Sequence, residues 1–250
     1  ASIGLDHCEH LGSTLETIAT EKAAVITRGS CVVSAEQHPD VQAVLENSCH
    51  QNGAELRWVK PLDRSWRLGL AGELQRKNAA VARGVLRALE PHGWTLTDDD
   101  LRTGFAQARW NGRLQRVRWR NHPLLLDGAH NPHAAQQLNL ERRHWPGEDT
   151  GIDWILGIQS HKQAVDMLQT LLKPRDRAWI VPVPDHSSWT LGALLERSPQ
   201  WRHQLTAASS AEQALVEINS PGRHQNSLPV LAGSLYLIGD LLARAVVTAE

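Results

Sequence analysis

The sequence predicts an α/β protein whose mostly parallel sheet is covered by helices on both faces. From about residue 115 onward, β-prone segments alternate with helical segments of the length found in βαβ units. Hydrophobic residues make up 41% of the 250 residues and charged residues 21%, which is the composition of a chain with a substantial core. A turn signal, WNGR, occupies residues 110–113. We therefore expect two domains, residues 1–109 and 110–250.

The first predicted element is a helix over residues 14–22. Ser13 and Glu16 have the S-x-x-E spacing of a capping box, which marks a helix N-terminus. Because Lys22 shares the apolar face of this helix, it could be buried, and burial lowers the pKa of a lysine and leaves a nucleophilic amine. A lysine that extends into solvent is the alternative, and taken alone it is the favoured one. The residues on that face are Leu15, Ile18, Ala19 and Lys22.

Caps and breakers delimit the other elements of the first domain. Pro39 at a first helical position and Gly53 beyond the end bracket one helix, and Thr97 with Asp100 opens another. The predicted strands are residues 23–27, 31–34 and 55–60, and the predicted helices begin at residue 39 and span residues 72–90 and 98–108.

The second domain shows the alternation on which the fold class depends. The predicted strands are residues 115–119, 123–127, 152–156, 178–183 and 228–231. The predicted helices begin at residue 132 and span residues 161–172, 191–196, 211–218 and 234–247. In sheets of this kind ligands bind at the carboxyl ends of the strands, so the loops that follow strands are the candidate site.

The most informative string is LDGAHNP, residues 126–132. An apolar strand delivers Asp127 to the carboxyl edge of the sheet, and His130 follows on a short loop. Asn131 and Pro132 are typical of an N-cap and a first helical turn, so capping alone is the favoured interpretation of Asn131. For the whole string a functional interpretation is favoured, because an acid and an imidazole converge there.

Other candidate residues are weaker when taken one at a time. Arg113 could bind a phosphate through a bidentate contact, and Gln75 and Asn78 share a helix face that could bind a purine edge. When each of these three is taken alone, a solvated side chain is the favoured interpretation. Ser234 could cap a helix, or its hydroxyl and the helix N-terminus could hold a carboxylate. His7 could be a metal ligand, although no second cluster with zinc spacing follows it.

The composition limits the classes of partner and the compartment that we expect for this protein. Lys and Arg number 26 against 27 Asp and Glu, so nucleic acid and anionic membrane surfaces are not expected partners. The three cysteines form no CxxC motif, which favours a reducing compartment, and we expect a cytoplasmic protein. No apolar run reaches membrane-spanning length.

Taken in order, the motifs resemble the dihydrofolate synthase/folylpolyglutamate synthase family, relatives of the Mur ligases. The strings are GLDH from Gly4, EKA around Lys22, NAA from Asn78, WNGR, LDGAHNP and GSLYL from Gly233. The resemblance covers the whole chain. It implies part of a P-loop-type ATPase domain over residues 1–109, followed by a Rossmann-like glutamate-ligase domain over residues 110–250.

The resemblance also implies a reaction and roles for residues. ATP would phosphorylate a carboxylate of dihydropteroate or a folate, and the amino group of L-glutamate would attack the acyl phosphate to form an amide. ATP and Mg²⁺ would be required, and the complete protein is expected to be a monomer with small-molecule substrates. The implied catalytic residues are Lys22, which matches a carbamylated lysine, and His130; the implied ATP contacts are Gln75, Asn78, Arg113 and Asp127; glutamate would lie near His130 and Ser234, and His7 would bind the metal.

Three departures from the family pattern bear on whether this chain is active by itself. Leu74 replaces a histidine, HKQ at residues 161–163 replaces D-K-D, and the sequence has no G-x-x-x-x-G-K-[ST] phosphate loop. We therefore expect a C-terminal portion of a ligase that is inactive alone. The alternatives are a non-catalytic remnant and a ligase that acts on a peptidoglycan precursor. The string DGAH, which begins at Asp127, favours the folate branch over the ligases that act on peptidoglycan precursors.

Overall fold

The protein is described by a computed structural model over residues 3–4, 11–146, 150–220 and 228–250. The chain divides into two compact units, Ala1–Arg109 and Trp110–Glu250. Within the described ranges, no helix combines the length and the apolar character needed to cross a bilayer.

The first unit contains a pair of parallel strands with helices packed around them. Cys31 lies opposite Glu55 and Ala35 opposite Val59 in the strand register. A Cβ atom on Gly84 would lie 2.6 Å from Val33 Cγ1, so helix α3 approaches strand β1 closely. The elements are α1 (Leu15–Ala23), β1 (Cys31–Ala35), α2 (Pro39–Asn52), β2 (Glu55–Val59), α3 (Glu73–Ala88), a 3₁₀ turn (Glu90–His92) and α4 (Asp98–Gln107).

Helix α1 begins one residue later than the predicted capping box requires. Thr14 is the N-cap; its side chain accepts a hydrogen bond of 3.2 Å from Thr17 N, and the Thr17 side chain accepts one of 3.3 Å from Thr14 N. The predicted box of Ser13 and Glu16 is therefore wrong. Two threonines three residues apart satisfy the same pair of backbone donors one position further along.

Lys22 is exposed, because the buried face of α1 is formed by Ile18, Ala19 and Ala23. This confirms the interpretation of Lys22 as a side chain that extends into solvent, which is the favoured one when the residue is taken alone. One further expectation for this region is wrong. The strand predicted over residues 23–27 does not form, because α1 continues through Ala23 and the N–H of its C-cap donates to Thr20 O. The cap-based predictions are confirmed: α2 begins at Pro39 and ends at Gly53, whose φ is +58°.

The second unit is built on a seven-stranded sheet with the order β7-β6-β5-β8-β4-β3-β9. The five strands from β7 to β4 are parallel, and β3 pairs antiparallel with both β4 and β9. The strands are β3 (Gln115–Trp119), β4 (His122–Leu126), β5 (Asp153–Leu156), β6 (Arg177–Ile180), β7 (Leu205–Ala207), β8 (Val230–Ala232) and β9 (Thr248–Ala249). The helices are α5 (Pro132–Glu141), α6 (Ala164–Leu171), α7 (Leu191–Arg197), α8 (Ala211–Ile218) and α9 (Leu235–Ala243), with 3₁₀ turns at Arg142–His144 and Pro199–Trp201.

This architecture confirms the predicted α/β class with a mostly parallel sheet. Trp154 and Ile155 are neighbours on β5, and both are fully buried, yet they belong to separate apolar clusters. Successive side chains along the strand therefore pack alternately into an apolar core on each face, as a parallel sheet covered on both faces requires. Strands β7 and β9 were not predicted; they contain three and two residues.

An ion pair is buried beside the sheet. The guanidinium of Arg142 donates to both carboxylate oxygens of Asp176, and the two side chains are 1% and 0% exposed. Asp176 also accepts hydrogen bonds from Ile152 N at 2.8 Å and from Lys173 N at 2.9 Å. Because both oxygens are saturated with donors, the carboxylate is held in place without solvent.

Candidate functional site

The loops that follow β4, β5 and β8 meet at one edge of the second unit's sheet. These strands are parallel, so their carboxyl ends point the same way. Gly233 N donates to Ala129 O at 2.8 Å, and Gly157 N donates to Ala232 O at 3.2 Å. Backbone hydrogen bonds thus bring the LDGAHNP loop and the start of α9 together, where the sequence analysis expected ligands.

Asp127 lies at the end of β4 and joins two loops. Its Oδ2 accepts a hydrogen bond of 3.0 Å from Leu114 N, and its Oδ1 accepts one of 2.9 Å from Ala129 N. Burial raises the pKa of Asp127, while these two hydrogen bonds and the nearby charge of Arg113 act in the opposite direction. The carboxylate therefore fixes the WNGR turn against the His130 loop.

Arg113 and the LDGAHNP loop are in close contact. Gly128 N donates to Gly112 O at 2.7 Å. A Cβ atom on Gly128 would meet the Leu235 side chain and would lie 3.3 Å from Arg113 Nη1, so a side chain here would displace Leu235 and crowd the guanidinium. The structure thus brings together Arg113 and Asp127, two residues to which the family resemblance gives the role of ATP contacts.

His130 is half-buried and oriented by its own loop. Its Nδ1 lies 2.8 Å from Gly128 O, and because a carbonyl oxygen only accepts, Nδ1 carries the proton. Its Nε2 has no hydrogen-bond partner within the residues described. The next residue, Asn131, caps α5 by accepting a hydrogen bond of 2.7 Å from Ala134 N, which confirms the capping interpretation of Asn131.

Ser234 is buried at the N-terminus of α9 and is 2% exposed. Its Oγ accepts hydrogen bonds from Tyr236 N at 3.1 Å and from Leu237 N at 3.4 Å, so it is the helix N-cap. Gly233 before it has a φ of +103°, and a Cβ atom there would lie 2.5 Å from Gly157 O. The cap, and with it the positive end of the α9 dipole, is therefore fixed at the same edge as His130.

In the first unit, Gln75 and Asn78 line a cavity of about 260 Å³. Asn78 Nδ2 donates to Gln75 Oε1 at 3.1 Å, which fixes the two amides relative to each other. The lining is otherwise apolar, so the cavity combines apolar walls with two amides, as small-molecule sites commonly do. The lining residues are Leu68, Leu70, Gln75, Asn78, Ala79, Ala82, Phe105 and Ala108.

The predicted metal site is not tested by the structure. His7 lies outside the described residues. Among those described, no group of three or more His, Cys, Asp and Glu side chains could hold a metal ion. Lys22 is exposed on α1, and its predicted role stays a prediction.

The structure adds a residue that the sequence analysis missed. His186 lies in the loop after β6, its Nδ1 is 2.7 Å from Pro184 O, and its ring stacks on Tyr236 with 4.1 Å between ring centroids. One feature of the sequence could have identified His186: it follows a predicted strand, as His130 does.

Comparison with known proteins places these features in a family. A family model described as "Dihydrofolate synthetase, C-terminal domain" matches residues 111–244, which is more than half of the chain. Dihydrofolate synthetase of Saccharomyces cerevisiae is 29% identical over 96% of this chain and 63% of its own length. Dihydrofolate synthase/folylpolyglutamate synthase of Bacillus subtilis is 30% identical over 97% of this chain and 61% of its own length.

A solved structure agrees with the fold. Folylpolyglutamate synthase of Mycobacterium tuberculosis, described as complexed with ADP and AMPPCP, superposes with a TM-score of 0.81 at 24% identity. The superposition covers 98% of this chain and 62% of that one. The chain therefore spans less than two thirds of the length of each of these relatives.

Proposed function

The chain belongs to the dihydrofolate synthetase/folylpolyglutamate synthase family, and from this premise we propose that it acts in the ATP-dependent ligation of L-glutamate to dihydropteroate or a folate. In this reaction the γ-phosphoryl group of ATP passes to the carboxylate of the acceptor. The amino group of glutamate then attacks the acyl carbon, phosphate leaves, and an amide bond forms. Catalysis of this kind depends on positioning and charge neutralisation.

The single observation that carries the proposal is the double hydrogen bond of Asp127. By binding Leu114 N and Ala129 N, this side chain fixes Arg113 and His130 at one edge of the sheet. A guanidinium matches the geometry of a phosphate, and an imidazole with a free nitrogen can exchange a proton. The arrangement therefore suits a reaction in which a phosphoryl group and an amine are handled together.

His130 is proposed to act on the incoming amino acid. Because Nδ1 donates to Gly128 O, the Nε2 atom of the neutral ring is an acceptor. It can take a proton from the ammonium group of glutamate and so make the nitrogen nucleophilic. Ser234 and the N-terminus of α9 are proposed to attract a carboxylate of the same molecule.

ATP fits the residues present. The apolar cavity with the amides of Gln75 and Asn78 suits a purine base. Arg113 and Asp127 are proposed as ATP contacts from the family resemblance alone. When bound, Mg²⁺ would neutralise charge on the phosphates. His7 and a carbamylated Lys22 are proposed, from the family resemblance alone, to support it.

We propose a cytoplasmic monomer with small-molecule substrates and no nucleic-acid or membrane partner. Cys31 and Cys49 are both free thiols, which supports a reducing compartment. The balance of 26 basic and 27 acidic residues supports the absence of a polyanionic partner.

A second candidate is a non-catalytic protein that binds glutamate. The 250 residues contain no G-x-x-x-x-G-K-[ST] string, and this candidate holds only if the whole gene encodes none. This candidate would keep the geometry of the second unit without phosphoryl transfer.

The test is a ligation assay on the protein made from its whole gene. The protein is incubated with Mg-ATP, radiolabelled L-glutamate and one acceptor: dihydropteroate, tetrahydrofolate or a peptidoglycan-precursor peptide. We expect ATP-dependent mass gain of one glutamyl residue on a pteroate or folate. Ligation only to the peptidoglycan precursor would contradict the proposal. Glutamate binding without any ligation would instead establish the second candidate.

A further inference from the structure

Two histidines at the same edge of the sheet share one local geometry. Nδ1 of His130 contacts Gly128 O at 2.8 Å, and Nδ1 of His186 contacts Pro184 O at 2.7 Å; in each case the carbonyl belongs to the residue two positions earlier. Each Nδ1 is therefore a donor, which leaves Nε2 as the available nitrogen. Throughout the described ranges, neither Nε2 has a hydrogen-bond partner.

The loop that carries His186 is held rigidly. Val183 and His186 form an antiparallel bridge, and Asp185 between them has a φ of +57°, which is rare for a residue with a side chain. Ser160 N donates to Ser187 O at 2.9 Å, which attaches this loop to the one after β5. A loop fixed in this way positions a side chain well enough for recognition.

His186 is connected to the predicted glutamate-binding residues through Tyr236. The two rings are 4.1 Å apart between centroids with an interplanar angle of 33°. Tyr236 is 59% exposed, so its ring is available to solvent beyond the contact with His186. Tyr236 N donates to Ser234 Oγ at 3.1 Å, and the adjacent Gly233 N donates to Ala129 O in the His130 loop at 2.8 Å.

The positions of the two histidines fit a molecule between them. His130 follows β4 and His186 follows β6, and the order β6-β5-β8-β4 puts three strand spacings between them. At about 4.8 Å per spacing the strand ends are about 14 Å apart, too far for the two side chains to bond directly. Ser234 and the N-terminus of α9 follow β8, which lies inside this span.

We propose that His186, stacked on Tyr236, binds the side-chain carboxylate of the incoming amino acid and so makes the site selective for an acidic amino acid. Binding of the carboxylate requires a proton on Nε2: His186 then donates Nδ1–H to Pro184 O and Nε2–H to the carboxylate, and the face of the Tyr236 ring lies beside the imidazole. This inference rests on the proposed function, because it assigns the far end of the same amino acid whose reacting end faces His130.

The chain contains one tyrosine, so fluorotyrosine gives a single fluorine NMR signal that reports on Tyr236. The 250-residue protein, labelled with fluorotyrosine and with ring-labelled histidine, is titrated with L-glutamate and separately with L-glutamine. We expect glutamate to shift the fluorine signal and the His130 ring signals. His186→Ala is expected to raise the Kd for glutamate about tenfold and to leave the Kd for glutamine nearly unchanged.

The matched control is His203→Ala. His203 is exposed and precedes β7, so it lies at the opposite edge of the sheet, and its removal is expected to leave the Kd for glutamate unchanged. A glutamate-induced shift of the His130 signals without a fluorine shift would overturn this inference alone. Equal affinity for glutamate and glutamine would overturn the selectivity for an acidic side chain. No change in either signal would overturn both this inference and the proposed glutamate site.

Discussion

The Asp127 carboxylate holds Leu114 in a left-handed backbone conformation. Leu114 has a φ of +44°, and its N–H donates to Asp127 Oδ2 at 3.0 Å. A leucine in this region is strained by about 1–3 kcal/mol and persists only where its surroundings fix it. Asp127 therefore maintains the turn that carries Arg113. This structural role needs no bound ligand.

Replacing Asp127 with alanine is expected to destabilise the second unit. Both Leu114 N and Ala129 N would lose their acceptor, and each buried unsatisfied donor costs about 1–3 kcal/mol. We expect the free energy of unfolding in urea to fall by at least about 2 kcal/mol. Asp166→Ala, at an exposed position on α6, is the control and is expected to change it by about 0.5 kcal/mol or less. Equal stability of the two variants would show that Asp127 does not fix the turn.

Stability should depend on pH through Asp127 in a specified direction. Burial raises the pKa of Asp127 in the folded protein above its ordinary value, so in the window between the two values the folded state binds more protons than the unfolded state. The contribution of this group to the free energy of unfolding therefore falls as pH rises from about 3.9 through the raised pKa. Asp127→Asn should remove this part of the slope in a series of urea titrations. A contribution that rises with pH would contradict the raised pKa.

Local signals predicted much of the fold. The α2 helix starts at Pro39 and ends at Gly53, and Thr97 with Asp100 caps α4, because these residues act on the few backbone groups beside them. The LDGAHNP loop was predictable for the same reason: Asn131 caps α5 within its own string. A residue whose partners are near in sequence can be assigned from sequence.

The features that were not predicted depend on contacts between residues that are far apart in the sequence. The face of α1 that includes Ile18 and Ala23 is buried, and this leaves Lys22 in solvent although it lies on the apolar pattern. His186 was missed because its role depends on Tyr236, which is 50 positions away in the chain, in helix α9. No periodicity or spacing signal connects two such residues before the sheet order is known.

The buried ion pair of Arg142 and Asp176 should be sensitive to single substitution. Asp176→Asn leaves the Arg142 charge uncompensated in a dry environment, which costs about 3–5 kcal/mol. In urea unfolding, the double variant Arg142→Met/Asp176→Leu should lose less free energy of unfolding than the sum of the losses of Arg142→Met and Asp176→Leu measured separately. The comparison is Arg118→Ala: Arg118 pairs with Glu250 at 3.5 Å, the two side chains are 52% and 30% exposed, and the loss of this pair should cost less than about 1 kcal/mol. Additive single losses at the buried pair would show that the two residues do not stabilise each other.

The cavity in the first unit should bind the base of a nucleotide. Ala82 lines this cavity on α3, and Ala82→Phe fills much of its volume of about 260 Å³. We expect the Kd for adenosine, measured by calorimetry, to rise at least tenfold, while Val85→Leu at an exposed position of the same helix leaves it unchanged. Similar adenosine affinity for both variants would place the base elsewhere.

His130 should matter for the amino acid and little for folding. In the whole-gene protein, His130→Ala removes the nitrogen proposed to accept the amine proton, so kcat should fall by about 10²–10⁴ or the KM for glutamate should rise. The free energy of unfolding should change by less than about 1 kcal/mol, because the ring's hydrogen bond stays within its own loop. His122 begins β4 at the opposite end of the same strand and is exposed, so His122→Ala is the matched control with unchanged kinetics. Wild-type kinetics in His130→Ala, with ATP saturating, would remove His130 from the reaction. The proposal would then depend on Arg113 and the α9 N-terminus alone.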